Sequence, residues 1–333
     1  MTGSHIIIPQ PSLDKLQNLI RADIAKVDEV IIASIDSGVP LISQLARHII
    51  SAGGKRLRPA LTLLAAKLLG YSGDRHVKLA ACVEFIHTAT LLHDDVVDES
   101  ALRRGNATAN EVWGNKASVL VGDFLFSRSF ELMVADGSLE VLKILSSASA
   151  VIAQGEVMQL TTANNLATNI SSYTEVITAK TAALFAAACE IGAVVAGQPE
   201  RQEVLRKIGN DLGIAFQIMD DALDYFAEQS KLGKEIGDDF REGKITLPII
   251  LAFERSDDFE KDFWRRTLEE QNFAEGDFEQ ALQIIAKYDA IKDSVAIARD
   301  YSDSARMAIL TFPDSQERAA MLEIVDFCIE RGY

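Results

Sequence analysis

Apolar positions recur every three to four residues along almost the whole chain. Leu13, Leu16, Ile20, Ile24, Val27 and Ile31 form the first such stripe and predict an amphipathic helix. Comparable stripes predict helices over roughly 39–52, 59–70, 74–98, 117–134, 138–161, 171–196, 200–228, 246–254, 276–288, 290–309 and 314–331. No stretch sustains period-two alternation, and no Asn-Gly or Asp-Gly pair stands between β-branched runs, so strands are not expected. The predicted fold class is all-α. Without linkers, low-complexity tracts or short repeats, residues 1–333 read as one large domain whose first ten or so residues form a flexible segment.

Three glycine-containing basic breaks punctuate the helices: "SAGGKRLRP" at 51–59, "ESALRRGNATANEVWGN" at 99–115 and "EQSKLGKEIGDDFREGK" at 228–244. The second and third each follow an aspartate cluster near the end of a long helix. "LLHDDVVDES" carries Asp94, Asp95 and Asp98; "IMDDALDYF" carries Asp220, Asp221 and Asp224. With 26 aspartates in 333 residues, finding this i, i+1, i+4 spacing twice by chance is expected in roughly 1% of such chains. An equally acidic stretch, "SDDFEKDFW" near 257, misses the spacing and reads as a solvated face.

Residues i and i+4 share a helix face, so Asp94 stands one turn from Asp98 and Asp220 one turn from Asp224. Like charges at that spacing cost about 0.2–0.5 kcal/mol per pair, and the negative end of the helix dipole adds to the cost. Burial raises it many-fold unless a cation compensates. Oxygen-only ligands select hard cations, and Mg²⁺ typically combines one or two carboxylates with waters and substrate phosphates. The neighbouring breaks supply anion-binding groups: Lys55, Arg56 and Arg58; Arg103 and Arg104; Lys231, Lys234, Arg241 and Lys244. Each alone reads as solvated surface. Together with the carboxylates they describe a metal–diphosphate site, and the absence of GxxxxGK[ST] excludes a P-loop.

Composition narrows the setting. The net charge of −16 and pI near 4.8 argue against a nucleic-acid partner. Cys82, Cys189 and Cys328 lie far apart in apolar contexts, as expected of buried thiols in a reducing, cytoplasmic compartment. The N-terminus lacks the pattern of a signal peptide. The most apolar segment, "AALFAAACEIGAVVAG", is broken by Glu190 and reads as too short to span a bilayer.

In order, "GGKRLRP", "LLHDDVVDESALRRG", "GDFLFSR", "QGEVMQL", "KTAALF" and "FQIMDDALDYF...GKEIGDDFREGKITLP" resemble the trans-type polyprenyl diphosphate synthases, from about residue 45 to 255. The overall likeness is to long-chain members that make ubiquinone side chains. The resemblance implies the isoprenoid-synthase helical bundle with a central apolar cavity, and a homodimer whose product is delivered to a membrane. It implies condensation of isopentenyl diphosphate onto an allylic diphosphate, farnesyl or geranylgeranyl, with two or three Mg²⁺ ions, or Mn²⁺ as substitute. Asp94, Asp98, Asp220, Asp221 and Asp224 match metal-binding positions, with Asp95 beside them in the catalytic motif. Lys55, Arg58, His87 and Arg104 match the isopentenyl diphosphate site. Arg103, Lys180, Thr181, Gln217, Lys234 and Lys244 match the allylic site. By itself His87 reads first as a core histidine, although it lies two turns from Asp94 on the same face. Ala89 and Thr90, one turn before Asp94, are expected to point down the product channel. Their small size agrees with the long-chain members, and the resemblance implies a C40–C50 product, with Leu142 or Leu145 expected near the channel floor. Two rivals remain open: a class I terpene cyclase, and a subunit of a heteromeric synthase.

Overall fold

The computed structural model describes residues 13–51, 54–225 and 237–330. Helices dominate: α1 (Asp14–Ile35), α2 (Pro40–Ser51), α3 (Leu57–Leu68), α4 (Arg75–Val97), α5 (Ala109–Trp113), α6 (Asn115–Asp136), α7 (Leu139–Thr162), α8 (Ile170–Ile177), α9 (Ala183–Ala196) and α10 (Gln202–Leu223). They continue as α11 (Asp238–Arg241), α12 (Leu247–Arg255), α13 (Asp258–Trp264), α14 (Asp277–Lys287), α15 (Ala290–Ile309) and α16 (Gln316–Glu330). A π turn, Thr178–Ala182, joins α8 to α9, and a second, Arg265–Glu269, follows α13.

Two features escape the periodicity. Leu102–Arg103 and Asn106–Ala107 pair as a two-stranded antiparallel ribbon, β1 and β2. Arg104 and Gly105 take φ of 53° and 78° at its tip, the left-handed pair that such a two-residue hairpin requires. The ribbon is too short for alternation to register. The acidic stretch near 257 is also more than a solvated face. Asp257 caps α13 in a reciprocal capping box with Glu260, and Phe263 and Trp264 behind it are buried.

Two apolar clusters form the core. One gathers α1–α4, α6, α7, α9 and α16; the other gathers α8 and α11–α15. Helix α10 belongs to both: Leu205, Ile208 and Leu212 enter the first, Ile214, Ile218 and Met219 the second. It packs against α9 on one side and α15 on another, while α4 packs against α6. The chain thereby holds the C-terminal ends of α4 and α10 in fixed relation. The run Ile170–Ala196 is 27 residues long, and it and α7 are long and apolar enough to cross a membrane by length and composition. The expectation that this segment is too short is corrected, because α8, the π turn and α9 are continuous. In the Ile170–Ala196 run 72% of the apolar window is buried inside the protein, the mark of a core helix. All three cysteines are buried, and none is in a disulfide.

Candidate active site

The C-terminal ends of α4 and α10 open onto one cavity of about 970 Å³. Asp94 and Asp98 line one wall; Asp220, Asp221 and Asp224 line the facing one. The cavity also receives Lys55, Arg56, Arg58, His87, Arg103, Arg104, Lys180, Thr181, Gln217 and Lys244, whereas Arg241 lies outside it and pairs with Asp238. Lys234, like Lys231, falls outside the described residues.

The first basic pole is built by the loop before α3. The loop lies against the ribbon's arginine: a Cβ on Gly54 would meet the Arg104 guanidinium at 2.6 Å. Arg56, in left-handed conformation with φ of 50°, also lines the cavity, paired with Glu84 at 2.6 Å. Arg58 turns inward: its Nη1 lies 3.1 Å from His87 Nε2, and its guanidinium stacks 4.6 Å over the Phe185 ring. Burial and the nearby Arg58 charge hold His87 well below the ordinary histidine range. The imidazole is therefore neutral and accepts from Arg58, while burial brings Arg58 down to about 10 and leaves it charged. Lys55 Nζ sits 3.9 Å over the Phe327 ring.

The second pole lies on the π turn, an arrangement that often marks functional positions. It presents two successive residues to the cavity. Lys180 Nζ is 2.7 Å from Glu156 and 3.8 Å from Asp94. Thr181 donates to Gln217 Oε1 at 2.7 Å, and Gln217 Nε2 donates to Asp221 at 2.7 Å. Lys244 reaches across from the other aspartate loop, 3.2 Å from Asp98, 3.9 Å from Asp239 and 2.5 Å from Glu242. Burial opposes its charge, but those three carboxylates outweigh burial and push its pKa up.

The carboxylates are short of positive charge. Burial pushes Asp94 up to about 7; Lys180 opposes the shift, and Glu156 and Asp98 add to it. Asp221 is driven well up by burial and by Asp239, against its hydrogen bonds from Tyr173 and Gln217. No three His, Cys, Asp or Glu side chains among the described residues form a closed metal cage. The donor set instead fits a hard cation whose remaining positions come from water and phosphate oxygen.

Several expectations change. Asp95 is 1% exposed and does not line the cavity; Arg103 grips its Oδ1 with Nε at 2.8 Å and Nη2 at 2.7 Å. One residue on from Asp94 is about 100° around the helix, so Asp95 positions Arg103 from behind. Ala89 is packed into the core, 1% exposed, whereas Thr90 and Leu91 line the cavity. Four and three residues back from Asp94 keep to its face; five do not. Leu142 and Leu145 belong to the core cluster rather than to the cavity wall. Asp221 lines the cavity as expected and accepts from Gln217 at 2.7 Å and from the Tyr173 hydroxyl at 2.5 Å. Glu156, Tyr173 and Asp239 line the site without having been nominated. The only signal for Glu156 is a charge within the apolar "QGEVMQL" stripe, and for Asp239 a second aspartate pair in "GDDF". Phe216 walls the cavity and packs 5.5 Å from Phe185.

The polyprenyl synthetase family profile matches residues 39–285. The chain belongs to that family. It is 43% identical to the octaprenyl diphosphate synthase of Escherichia coli (strain K12) over 321 residues, 96% of this chain and 99% of that one. A polyprenyl synthase from Caulobacter crescentus CB15, solved with calcium and isoprenyl diphosphate, is 50% identical and superposes with a TM-score of 0.94 over 98% of this chain and 99% of that one. A decaprenyl diphosphate synthase from Rhodobacter capsulatus is 49% identical, with a TM-score of 0.93 over 97% and 100%. The chain is accordingly an all-α prenyltransferase that elongates polyprenyl chains, in a family dependent on divalent metal.

Proposed function

We propose that the protein condenses isopentenyl diphosphate head-to-tail onto an allylic diphosphate, farnesyl or geranylgeranyl, and repeats the step to an all-trans C40–C50 product. The observation that carries this reading is the single cavity between two aspartate-bearing helix ends, with a basic pole on either side. Lys55, Arg58, His87 and Arg104 would hold isopentenyl diphosphate. Lys180, Thr181, Gln217 and Lys244, together with Lys234, would hold the allylic diphosphate, with Arg103 fixed beside them by Asp95. Asp94, Asp98, Asp220, Asp221 and Asp224 would hold two or three Mg²⁺ ions, which when bound supply electrophilic stabilisation of the leaving diphosphate. Lys180 and Lys244 stand where charge develops on that group as the allylic C–O bond breaks. The apolar wall of Leu91, Phe216 and Leu223 excludes water from the resulting cation. No side chain is marked as the base, and the departing diphosphate takes the proton.

The reading extends to the assembly and its setting. Leu120 and Val134 of α6 and Leu139, Val157 and Leu160 of α7 are all more than 60% exposed. An apolar surface of this kind supports a homodimer packed through these two helices. The E. coli and R. capsulatus relatives support a long product, for which a ubiquinone side chain is the proposed use. A cytoplasmic enzyme delivering that product to a membrane suits three buried cysteines outside any disulfide.

Incubation of the purified chain with farnesyl diphosphate and radiolabelled isopentenyl diphosphate, followed by chromatography of the extracted product, tests the proposal. Label in a C40–C50 fraction is expected. A cyclised product without label would indicate a terpene cyclase. No turnover by the chain alone would indicate dependence on a second subunit.

A further inference from the structure

Gly155 and Glu156, consecutive on α7, both act on Lys180. Gly155 is buried against the π turn: a Cβ there would meet the Lys180 amide nitrogen at 2.7 Å and the Ala179 Cβ at 2.9 Å. A residue without a side chain lets α7 come this close to backbone, and the approach fixes the main chain of Lys180. Glu156 then takes the side chain. Its Oε2 accepts from Lys180 Nζ at 2.7 Å, while its Oε1 is buried and, among the described residues, has no hydrogen-bond partner. This carboxylate therefore depends on one lysine to compensate its charge. The lysine, by contrast, has a choice. Asp94 Oδ2 lies 3.8 Å from the same Nζ, and a small rotation of the stem would close that gap to a direct ion pair. A lysine side chain carries about 2 kcal/mol of rotamer entropy, so the ammonium keeps one place only where a partner holds it. An ammonium has three donors; the Glu156 contact uses one and leaves the others for a ligand in the cavity.

We propose that Glu156 is the positioning residue for Lys180: it holds the ammonium off Asp94 and presents it to the allylic diphosphate. The inference rests on the proposed role of Lys180 in holding that diphosphate. It gives a task to the one charge inside the apolar "QGEVMQL" stripe, which neither aspartate motif explains. Charge alone argues the other way. A carboxylate beside an anion site repels the anion, so its removal would tighten diphosphate binding if Glu156 acted only through its field. Positioning predicts the opposite sign.

The test is calorimetric titration of the full chain with farnesyl diphosphate and Mg²⁺, without isopentenyl diphosphate, so that binding is read in the absence of turnover. Glu156→Gln is expected to bind farnesyl diphosphate about tenfold more weakly, the scale of one hydrogen bond to a charged group. In turnover assays its KM for isopentenyl diphosphate is expected to stay within about twofold of the parent. Lys180→Met is expected to lose at least as much affinity for farnesyl diphosphate. The double variant should bind no more weakly than Lys180→Met alone, because Glu156 acts through the lysine. That comparison does not depend on the folding of Glu156→Gln by itself, since the double variant strands neither charge. Equal or tighter binding by Glu156→Gln would overturn the inference and leave Glu156 acting through its field. A further loss in the double variant would also overturn it and make Glu156 an independent ligand of substrate or cation. No binding of farnesyl diphosphate by the parent chain would instead remove the proposed function, and this inference with it.

Discussion

Lys244 Nζ lies 3.2 Å from Asp98 Oδ2, joining the first aspartate helix to the loop that follows the second. The two residues are 146 positions apart in the chain. The same ammonium faces Asp239 and Glu242, so one cation stands among carboxylates drawn from both motifs. Replacing Lys244 with Ala strands these charges, at a cost of about 1–3 kcal/mol in the metal-free protein. A melting temperature lowered by several degrees in EDTA is expected, with the deficit shrinking when Mg²⁺ and diphosphate are added. An equal deficit in both conditions would mean that Lys244 serves packing alone.

Chelation is expected to abolish turnover, since the aspartates otherwise face two diphosphates with too little positive charge. Asp94→Ala and Asp220→Ala should each lower turnover at least about 100-fold, the scale of losing one strong electrostatic stabiliser. Full turnover in excess EDTA, or a loss below about threefold in either variant, would remove that cluster from the chemistry.

The two basic poles predict a division of labour. Lys55→Ala and Arg58→Ala should chiefly raise the KM for isopentenyl diphosphate, and Lys180→Ala that for the allylic substrate. Kinetics with each substrate varied in turn would show it. Identical effects on both constants would mean the poles do not act as separate pockets.

Asp94 gives a pH dependence of defined sign. Its folded pKa, near 7, lies above the ordinary carboxylate value of 3.8, so the folded metal-free protein binds more protons than the unfolded chain between those values. Stability attributable to this group therefore falls as pH rises through that window, and the full penalty is present above pH 7. Asp94→Asn should melt higher than the parent at pH 8 in EDTA, by an increment that fades toward pH 4. A difference independent of pH would contradict the assignment.

Thr90 sits on the cavity face of α4, with its hydroxyl bonded to the His87 carbonyl at 2.9 Å. Thr90→Phe should put a ring across the space below Asp94 and shorten the dominant product to the C15–C20 range while leaving Mn²⁺ affinity intact. An active variant with unchanged product length would show that the growing chain does not pass Thr90.

The reach of local pattern is visible in these residues. Helix spacing was enough to put Asp94 and Asp98, and His87 two turns earlier, on one face, because the angle between residues on a helix is set by its own backbone hydrogen bonds. It was enough to end two helices at aspartates and to make the fold all-α. Tertiary packing decided the rest. Which of two adjacent aspartates faces the cavity depends on the rotation of the whole helix, and α4 is turned so that Asp94 enters while Asp95 and Ala89 do not. The Tyr173–Asp221 bond spans 48 residues and Lys180–Glu156 spans 24; no period in the sequence encodes a partner on another helix. The sequence alone determined the helices, the donor set and the family. Only the packed structure decided which donors share a cavity, because burial and charge neutralisation are properties of the assembled bundle and not of any one segment.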